Sequence, residues 1–387
     1  MNFSNYIKEN FSNELNLLIR LSQNEIELES DFGVLSEINW DVFLNLVLKH
    51  RLVSHVLKHS NKLASKIPQE IIKQLKEIRL IQSKTSLEYT SVLIKIANQF
   101  RINNIKFISF KGPLLSFELY NDVGFRNFND LDILVNKDDV ENAKKIIEDL
   151  EFKCIYPKIE LSDKQREINY SLSHHYHFKN KPRSIDIELH WSISNPKSFF
   201  GMPTSQIISN SQIIDISGHS ISYLSTIENL VYQAAHGAIH QWYRLFWLKD
   251  FSELLKKTNP ELIKKAFELS KKLKLDKCFL QAIALSYLLY NVDLPDYRDI
   301  EINKYLMKIP LKSISSTDLN QQGIKGKIKS LIYRLKLKPD LNYYFELTYR
   351  LRTHLTDWEL LKLPKPLFFL FYILRPFLLI YKFLFKK

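Results

Sequence analysis

Asp130 and Asp132 stand two apart in the apolar run Asn129-Asp-Leu-Asp-Ile-Leu-Val135. Side chains two apart on a strand share a face, about 7 Å from one another. Both carboxylates would therefore converge at the edge of a sheet while Leu131 and Ile133 enter its core. Carboxylates in such a setting are costly unless they are paired or bind metal, so the choice is between ion pairs with Arg126 or Lys111 and a cation. Mg²⁺ takes a few hard oxygen ligands and leaves its remaining positions to water and phosphate oxygens. Mg²⁺ or Mn²⁺ held by these two aspartates would suit a nucleoside triphosphate. Just upstream, Phe107-Ile-Ser-Phe-Lys-Gly-Pro113 reads as a strand, a tight Lys111-Gly112 turn and a short helix opened by Pro113. Gly112 lets the main chain approach a phosphate closely, the helix N-terminus attracts anions, and Lys111 adds a point charge. Arg126 either joins these triphosphate contacts or pairs with an aspartate.

A third carboxylate has a clear use beside such a pair. Two divalent ions about 3.5–4 Å apart can align an attacking hydroxyl and neutralise a departing pyrophosphate, and a third acid can hold one ion and take the hydroxyl proton. Residues from about 174 to 178 and from 184 to 191, joined by the basic turn Lys179-Asn-Lys-Pro-Arg183, read as a hairpin. On its second strand Asp186, Glu188 and His190 share a polar face, and spacing leaves the choice between Glu188 and Asp186 open. His190 can orient a carboxylate or a phosphate, or be a hydrogen-bonded structural residue. The run His174-His-Tyr-His177 invites a zinc reading through His175, His177 and His190, but zinc would want three or four such ligands. No cysteine joins them and the acids already account for a Mg²⁺ site, so contact of His177 with nucleotide or acceptor is the expectation.

At these residues the chain resembles the uncharacterised nucleotidyltransferases of the DNA polymerase β superfold. Their pattern is a Lys-Gly turn, a short helix ending in Tyr, an Arg ahead of an Asp-hydrophobic-Asp strand, and a helix. Here it reads Lys111-Gly112, Tyr120, Arg126, Asp130-Leu-Asp132 and the segment from Val140 to Leu150. Ile187-Glu-Leu-His-Trp191 matches the family's acidic strand ending in His-Trp, and His236 through Asp250 matches its His-rich helix running into Arg-Leu and Trp-Leu-x-Asp. The resemblance spans most of residues 40 to 255. It implies an α+β fold, a small mixed β-sheet core flanked by N-terminal and C-terminal helical regions. It also implies metal-dependent transfer of a nucleoside monophosphate from an NTP to a hydroxyl of an unidentified acceptor, with release of pyrophosphate. Asp130, Asp132 and Glu188 would bind metal, with Asp186 the other candidate acid. Lys111, Gly112, Arg126 and Arg244 would contact nucleotide or acceptor. Gly-Ser is the usual turn in the wider superfold where Lys-Gly stands here, and Glu188 replaces the more common Asp. A catalytically inactive nucleotide-binding or scaffold protein at a membrane surface is therefore the alternative.

The elements that must position these residues follow from periodicity. Residues 1–104 read as helical, with apolar positions three and four apart in Tyr6 to Leu21 and Val42 to Leu57 and a long helix from about Ser83 to Phe100. His50, His55 and His59 lie together there without an acidic neighbour and read as surface or packing residues. Residues 105–223 form the core, in which Asp138 can cap a helix to Leu150 and Phe152 to Tyr156 is a strand. Residues 224–330 are a helical domain that ends in a basic linker or exposed turn, Gly323 to Lys329. In it Arg244 is the candidate phosphate or acceptor contact, and Asp250 is a candidate structural partner for Arg244. Residues 331–387 form a basic and hydrophobic tail. In its run from Pro366 to Phe385, Arg375 and Pro376 argue against spanning a bilayer, which leaves docking on the protein or peripheral contact with an anionic membrane surface.

The chain has 387 residues, 45% of them hydrophobic, and a net charge of +13, enough for two or three compact units. The charge points to an anionic partner, though a Lys-rich composition accounts for it equally well. No RNA-binding motif appears, so glycan, protein or small molecule ranks above nucleic acid as acceptor. Cys154 and Cys278 form neither a metal motif nor a disulfide framework. Met1 to Asn24 lacks a signal-peptide core. The expected location is the cytoplasm, with the inner membrane surface as the site of any tail contact.

Overall fold

The computed structural model describes residues 3–23, 37–59, 66–180, 184–297, 302–316, 324–349, 354–361, 363, 367 and 369–385. It is an α+β protein with a mixed sheet among helices. Two compact units are each assembled from separate stretches of the chain.

One unit comprises Leu93–Phe110, Asn129–Ser211 and Pro339–Lys387. It contains β1 (Phe107–Ser109), β2 (Leu131–Val135), β3 (Lys153–Tyr156), β4 (His175–Asn180) and β5 (Ile185–His190), in the spatial order β3-β4-β5-β2-β1. β2 runs parallel to β5 and antiparallel to β1, while β4 is antiparallel to both β5 and β3. Every residue of β2 is buried, as suits a central strand covered on both faces. Apolar spacing sends Val140, Ala143 and Ile147 of the helix Val140–Asp149 inward. That helix follows a 3-10 turn, Lys137–Asp139, and no side-chain cap bond opens it, so the expected Asp138 cap is corrected. A helix that periodicity missed, Asp163–Leu172, starts with a capping box between Ser162 and Gln165.

The tail packs within this unit. In the helix Leu370–Phe385, Phe371 lies against Leu355 and Trp358, with Leu378 beside them, and Arg375 pairs with buried Asp357. Phe371, Arg375 and Leu378 recur at helical spacing, which explains a charge amid an apolar run: it faces a carboxylate. The opposite side of the helix leaves Ile373, Phe377 and Ile380 exposed, as is Phe369 just before it. Among the described residues no helix is long and apolar enough to cross a membrane.

The other unit comprises Met1–Val92, Lys111–Phe128 and Gln212–Lys338. It is mainly helical, with one hairpin, β6 (Gln212–Ile216) and β7 (His219–Tyr223). Ser217 and Gly218, both at positive φ, make its two-residue turn, a geometry whose twist matches antiparallel strands. The helix expected from Ser83 is one 34-residue helix, Gln69–Ile102, of which the residues up to Val92 belong to this unit and those from Leu93 to the first. The basic linker expected from Gly323 is corrected: Ile324–Leu337 is helical, because Tyr333 and Leu337 bury on one side and the lysines lie between apolar positions. Gly323 itself lies outside the described residues.

Two side chains in this unit carry measurable consequences. A Cβ on Gly237, in the helix Thr226–Ile239, would come within 2.2 Å of the Trp242 ring. Trp242 is buried and its Nε1 donates to Gln281 Oε1 at 2.9 Å, so it cannot withdraw cheaply. Gly237→Ala is expected to lower stability by about 2 kcal/mol through overpacking, despite alanine's better helix propensity, and a urea midpoint measures it. Glu118 accepts hydrogen bonds from Gln212 Nε2 at 3.3 Å and Asn229 Nδ2 at 3.0 Å, and burial pushes its carboxyl up to about 7. Between about pH 4.5, where the unfolded chain ionises, and about 7, the folded state holds the extra proton, so stability falls as pH rises through that window. The fall is of order 3 kcal/mol. Glu118→Gln is expected to flatten it, as seen in Tm measured from pH 4 to 8.

Candidate metal and nucleotide site

The polar face of this unit's five strands is set by strand pairing. Parallel pairing puts Asp132 of β2 opposite Glu188 of β5, and Leu134 opposite His190. Antiparallel pairing puts His175, His177 and Lys179 of β4 opposite His190, Glu188 and Asp186. Asp132 is 1% exposed, and Asp130, half-buried, comes immediately before β2. Phe110, buried, takes a backbone bond from its N–H to the Asp132 carbonyl at 3.3 Å, and its ring lies 5.1 Å from that of His190. The acids thus stand on a rigid, partly apolar floor.

His190 Nε2 lies 3.2 Å from a carboxylate oxygen of both Asp132 and Glu188. Burial disfavours the imidazolium, but the two carboxylates more than offset it, so the pKa of His190 is raised. Asp186, two residues back on the same face, behaves differently: its oxygens meet His177 Nε2 at 2.7 Å and Lys179 Nζ at 3.0 Å. His177, expected to contact nucleotide or acceptor, is bonded to Asp186. Residues 181–183 of the expected basic turn lie outside the described residues.

The donor set beside β2 fits a divalent cation. Asp132, Glu188 and His190 offer ligand atoms within 4.8 Å of one another, and two hard carboxylates with one imidazole accept Mg²⁺ or Mn²⁺.

The remaining candidate residues belong to the other unit. Gly112 opens the helix Gly112–Tyr120 at φ 56°, a left-handed conformation that favours glycine. Lys111 Nζ lies 5.6 Å from the centre of the Tyr232 ring. Arg244 stands at the N-cap position of the helix Leu245–Lys257 without a side-chain cap bond, and its guanidinium lies over the rings of Tyr243 and Trp247 at 5.0 and 5.8 Å. Arg126 is buried, with Nε 2.6 Å from Asp250 Oδ2. Tyr120 OH donates to the other Asp250 oxygen at 2.9 Å, and His55 Nε2 reaches Tyr120 OH at 3.3 Å. Asp250 therefore pairs with Arg126, not Arg244. His50 and His59 are packing residues as expected: His50 Nδ1 accepts the Leu245 N–H, and His59 Nε2 lies 2.9 Å from the Gln23 carbonyl.

Sequence reasoning left His190 undecided and overlooked His174. A signal for both existed in the hairpin: antiparallel pairing of a His-His strand end with Glu-Leu-His brings imidazoles and carboxylates together.

The profile of a family described as "Uncharacterised nucleotidyltransferase" matches residues 36–291. No curated protein sequence matches the chain. Among solved structures, the chain is similar to the crystal structure of an antigenic nucleotidyltransferase-like protein from Paracoccidioides brasiliensis. Identity is 12%, the overlap covers 53% of this chain and 92% of that one, and the TM-score is 0.30, too low to add to the family assignment.

Proposed function

Because the chain belongs to the uncharacterised nucleotidyltransferase family, we propose that it transfers a nucleoside monophosphate from an NTP to a hydroxyl of an acceptor, with a divalent metal and release of pyrophosphate. The observation that carries this reading is the register Asp132↔Glu188, two carboxylates side by side on one buried polar face, with Asp130 just before. Asp130, Asp132 and Glu188 would hold Mg²⁺ or Mn²⁺, which supplies charge neutralisation on the triphosphate and lowers the pKa of the acceptor hydroxyl. Glu188, half-buried, takes the hydroxyl proton. Asp186 is the less favoured acid, since its oxygens are committed to His177 and Lys179. Lys111, Gly112 and Arg244, matched through the family motif, would be the nucleotide or acceptor contacts. Arg126 acts as a positioning residue that holds Tyr120 and Asp250.

The test is incubation of the purified protein with Mg²⁺ or Mn²⁺ and each α-labelled NTP, with and without cytosolic and membrane fractions, beside Asp130→Asn. Label transfer and pyrophosphate release that the variant loses support the reading and locate the acceptor. Nucleotide binding with no transfer in any fraction supports the second reading, an inactive nucleotide-binding or scaffold protein. For either reading, the exposed row Phe369, Ile373, Phe377 and Ile380 favours peripheral contact with an anionic membrane, where a membrane-associated glycan would serve as acceptor. Flotation with vesicles containing anionic lipid is expected to carry the protein, and Ile373→Glu/Phe377→Glu is expected to cut the floated fraction about tenfold.

A further inference from the structure

We propose that His174, His175 and His190 form a binding site for one borderline transition-metal ion of the Zn²⁺ class, a site that shares His190 with the carboxylate cluster and differs from it in donor type. The three residues each offer a ring nitrogen, and these atoms lie within 4.8 Å of one another. Their rings are in mutual contact, with centroids 4.3 Å apart for His174 and His175, 5.2 Å for His174 and His190, and 5.1 Å for His175 and His190. His175 Nδ1 and His174 Nε2 are 3.2 Å apart. Nitrogens bound to one tetrahedral Zn²⁺ at about 2.0–2.1 Å are themselves about 3.3 Å apart, so closing the triangle takes rotation of side chains and no movement of strands.

A second observation points to a ligand at the same place. His190 is 3% exposed; its Nε2 faces the Asp132 and Glu188 carboxylates at 3.2 Å, while its buried Nδ1 has no hydrogen-bond partner among the described residues. A polar atom buried in that state is costly, and coordination is one way to satisfy it. The backbone holds the set rigidly: His175 and His190 are register partners on β4 and β5, and the Trp191 N–H donates to the His174 carbonyl at 2.9 Å. Three nitrogens this close, with room for a fourth ligand, suit a zinc site of three histidines. Glu188 Oε1, 3.9 Å from His175 Nε2, or a water would complete the tetrahedron. His177 plays no part, because its ring is bonded to Asp186.

Donor type decides the ion. Three imidazoles favour Zn²⁺, Co²⁺ or Ni²⁺ and discriminate against Mg²⁺, which prefers oxygen. The inference does not rest on nucleotidyl transfer, and its test needs no activity. Metal-stripped full-length protein is titrated with Zn²⁺ and with Co²⁺, following bound metal per chain, the visible absorption of Co²⁺ and the thermal midpoint. The expected result is one equivalent of Zn²⁺ held against millimolar Mg²⁺, a tetrahedral Co²⁺ spectrum and a raised midpoint. His174→Gln and, separately, His175→Gln should weaken Zn²⁺ binding at least tenfold and abolish the Co²⁺ spectrum, while Asp130→Asn leaves both unchanged. Circular dichroism identifies a variant that has merely unfolded, and the other histidine variant then decides. Zn²⁺ binding that is absent, that survives both histidine substitutions, or that disappears with Asp130→Asn overturns the proposal.

Discussion

Asp132→Asn is expected to reduce nucleotidyl transfer by on the order of 10³-fold while the protein stays folded. Asparagine keeps the shape and the neutral hydrogen bonding of the side chain but gives up the charge. That charge sits on a strand buried along its whole length, opposite Glu188 and 3.2 Å from His190, where water cannot replace it. Asp186→Asn provides the contrast. Its carboxylate is taken up by His177 and Lys179, so its replacement should change the rate less than about tenfold and act mainly through the β4–β5 edge. Rates are read as pyrophosphate release at saturating NTP, with urea midpoints measured in parallel. An Asp132→Asn enzyme with near-normal turnover would sink the assignment of Asp132 as a metal ligand, and equal losses at Asp132 and Asp186 would mean that neighbouring charge matters more than register.

The largest expected effect on stability belongs to the Arg126–Asp250 pair. Both side chains are buried, their contact is 2.6 Å, the guanidinium lies 4.8 Å from the centre of the Phe246 ring, and Tyr120 bonds the second carboxylate oxygen. Arg126→Met leaves Asp250 as a buried charge without its counterion, which costs about 3–5 kcal/mol. The double replacement Arg126→Met/Asp250→Leu removes both charges and should recover most of that loss, since a buried pair contributes little relative to apolar residues of similar volume. A double-mutant cycle on urea midpoints yields the coupling. If Arg126→Met leaves the midpoint unchanged but raises the KM for NTP, Arg126 is a triphosphate contact and the pair is incidental.

The α+β class, the apolar strand that carries Asp132 with Asp130 just before it, and the Lys111-Gly112 turn into a helix were legible because each depends on local covalent geometry. A period of two or of 3.6 shows directly in residue order. The helix of residues 163–172 was missed because its polar composition hides the period, although Ser162 and Gln165 give the capping signal. The β6–β7 hairpin was missed too, although Ser217-Gly218 marks its turn.

What the sequence determined by itself was therefore a set of faces: which side chains point the same way along one strand or helix. It could not choose between Glu188 and Asp186, because both lie on the same face of β5 and only the register with β2 sets Glu188 beside Asp132. Nor could it assign Asp250 to Arg126, 124 residues away in the chain, rather than to nearby Arg244. The same holds for His174 joining His190, and for Arg375 turning toward Asp357. Register and partnership come from the packing of segments remote in sequence, where burying apolar surface and satisfying each buried charge must be achieved together. Those decisions belong to the tertiary structure.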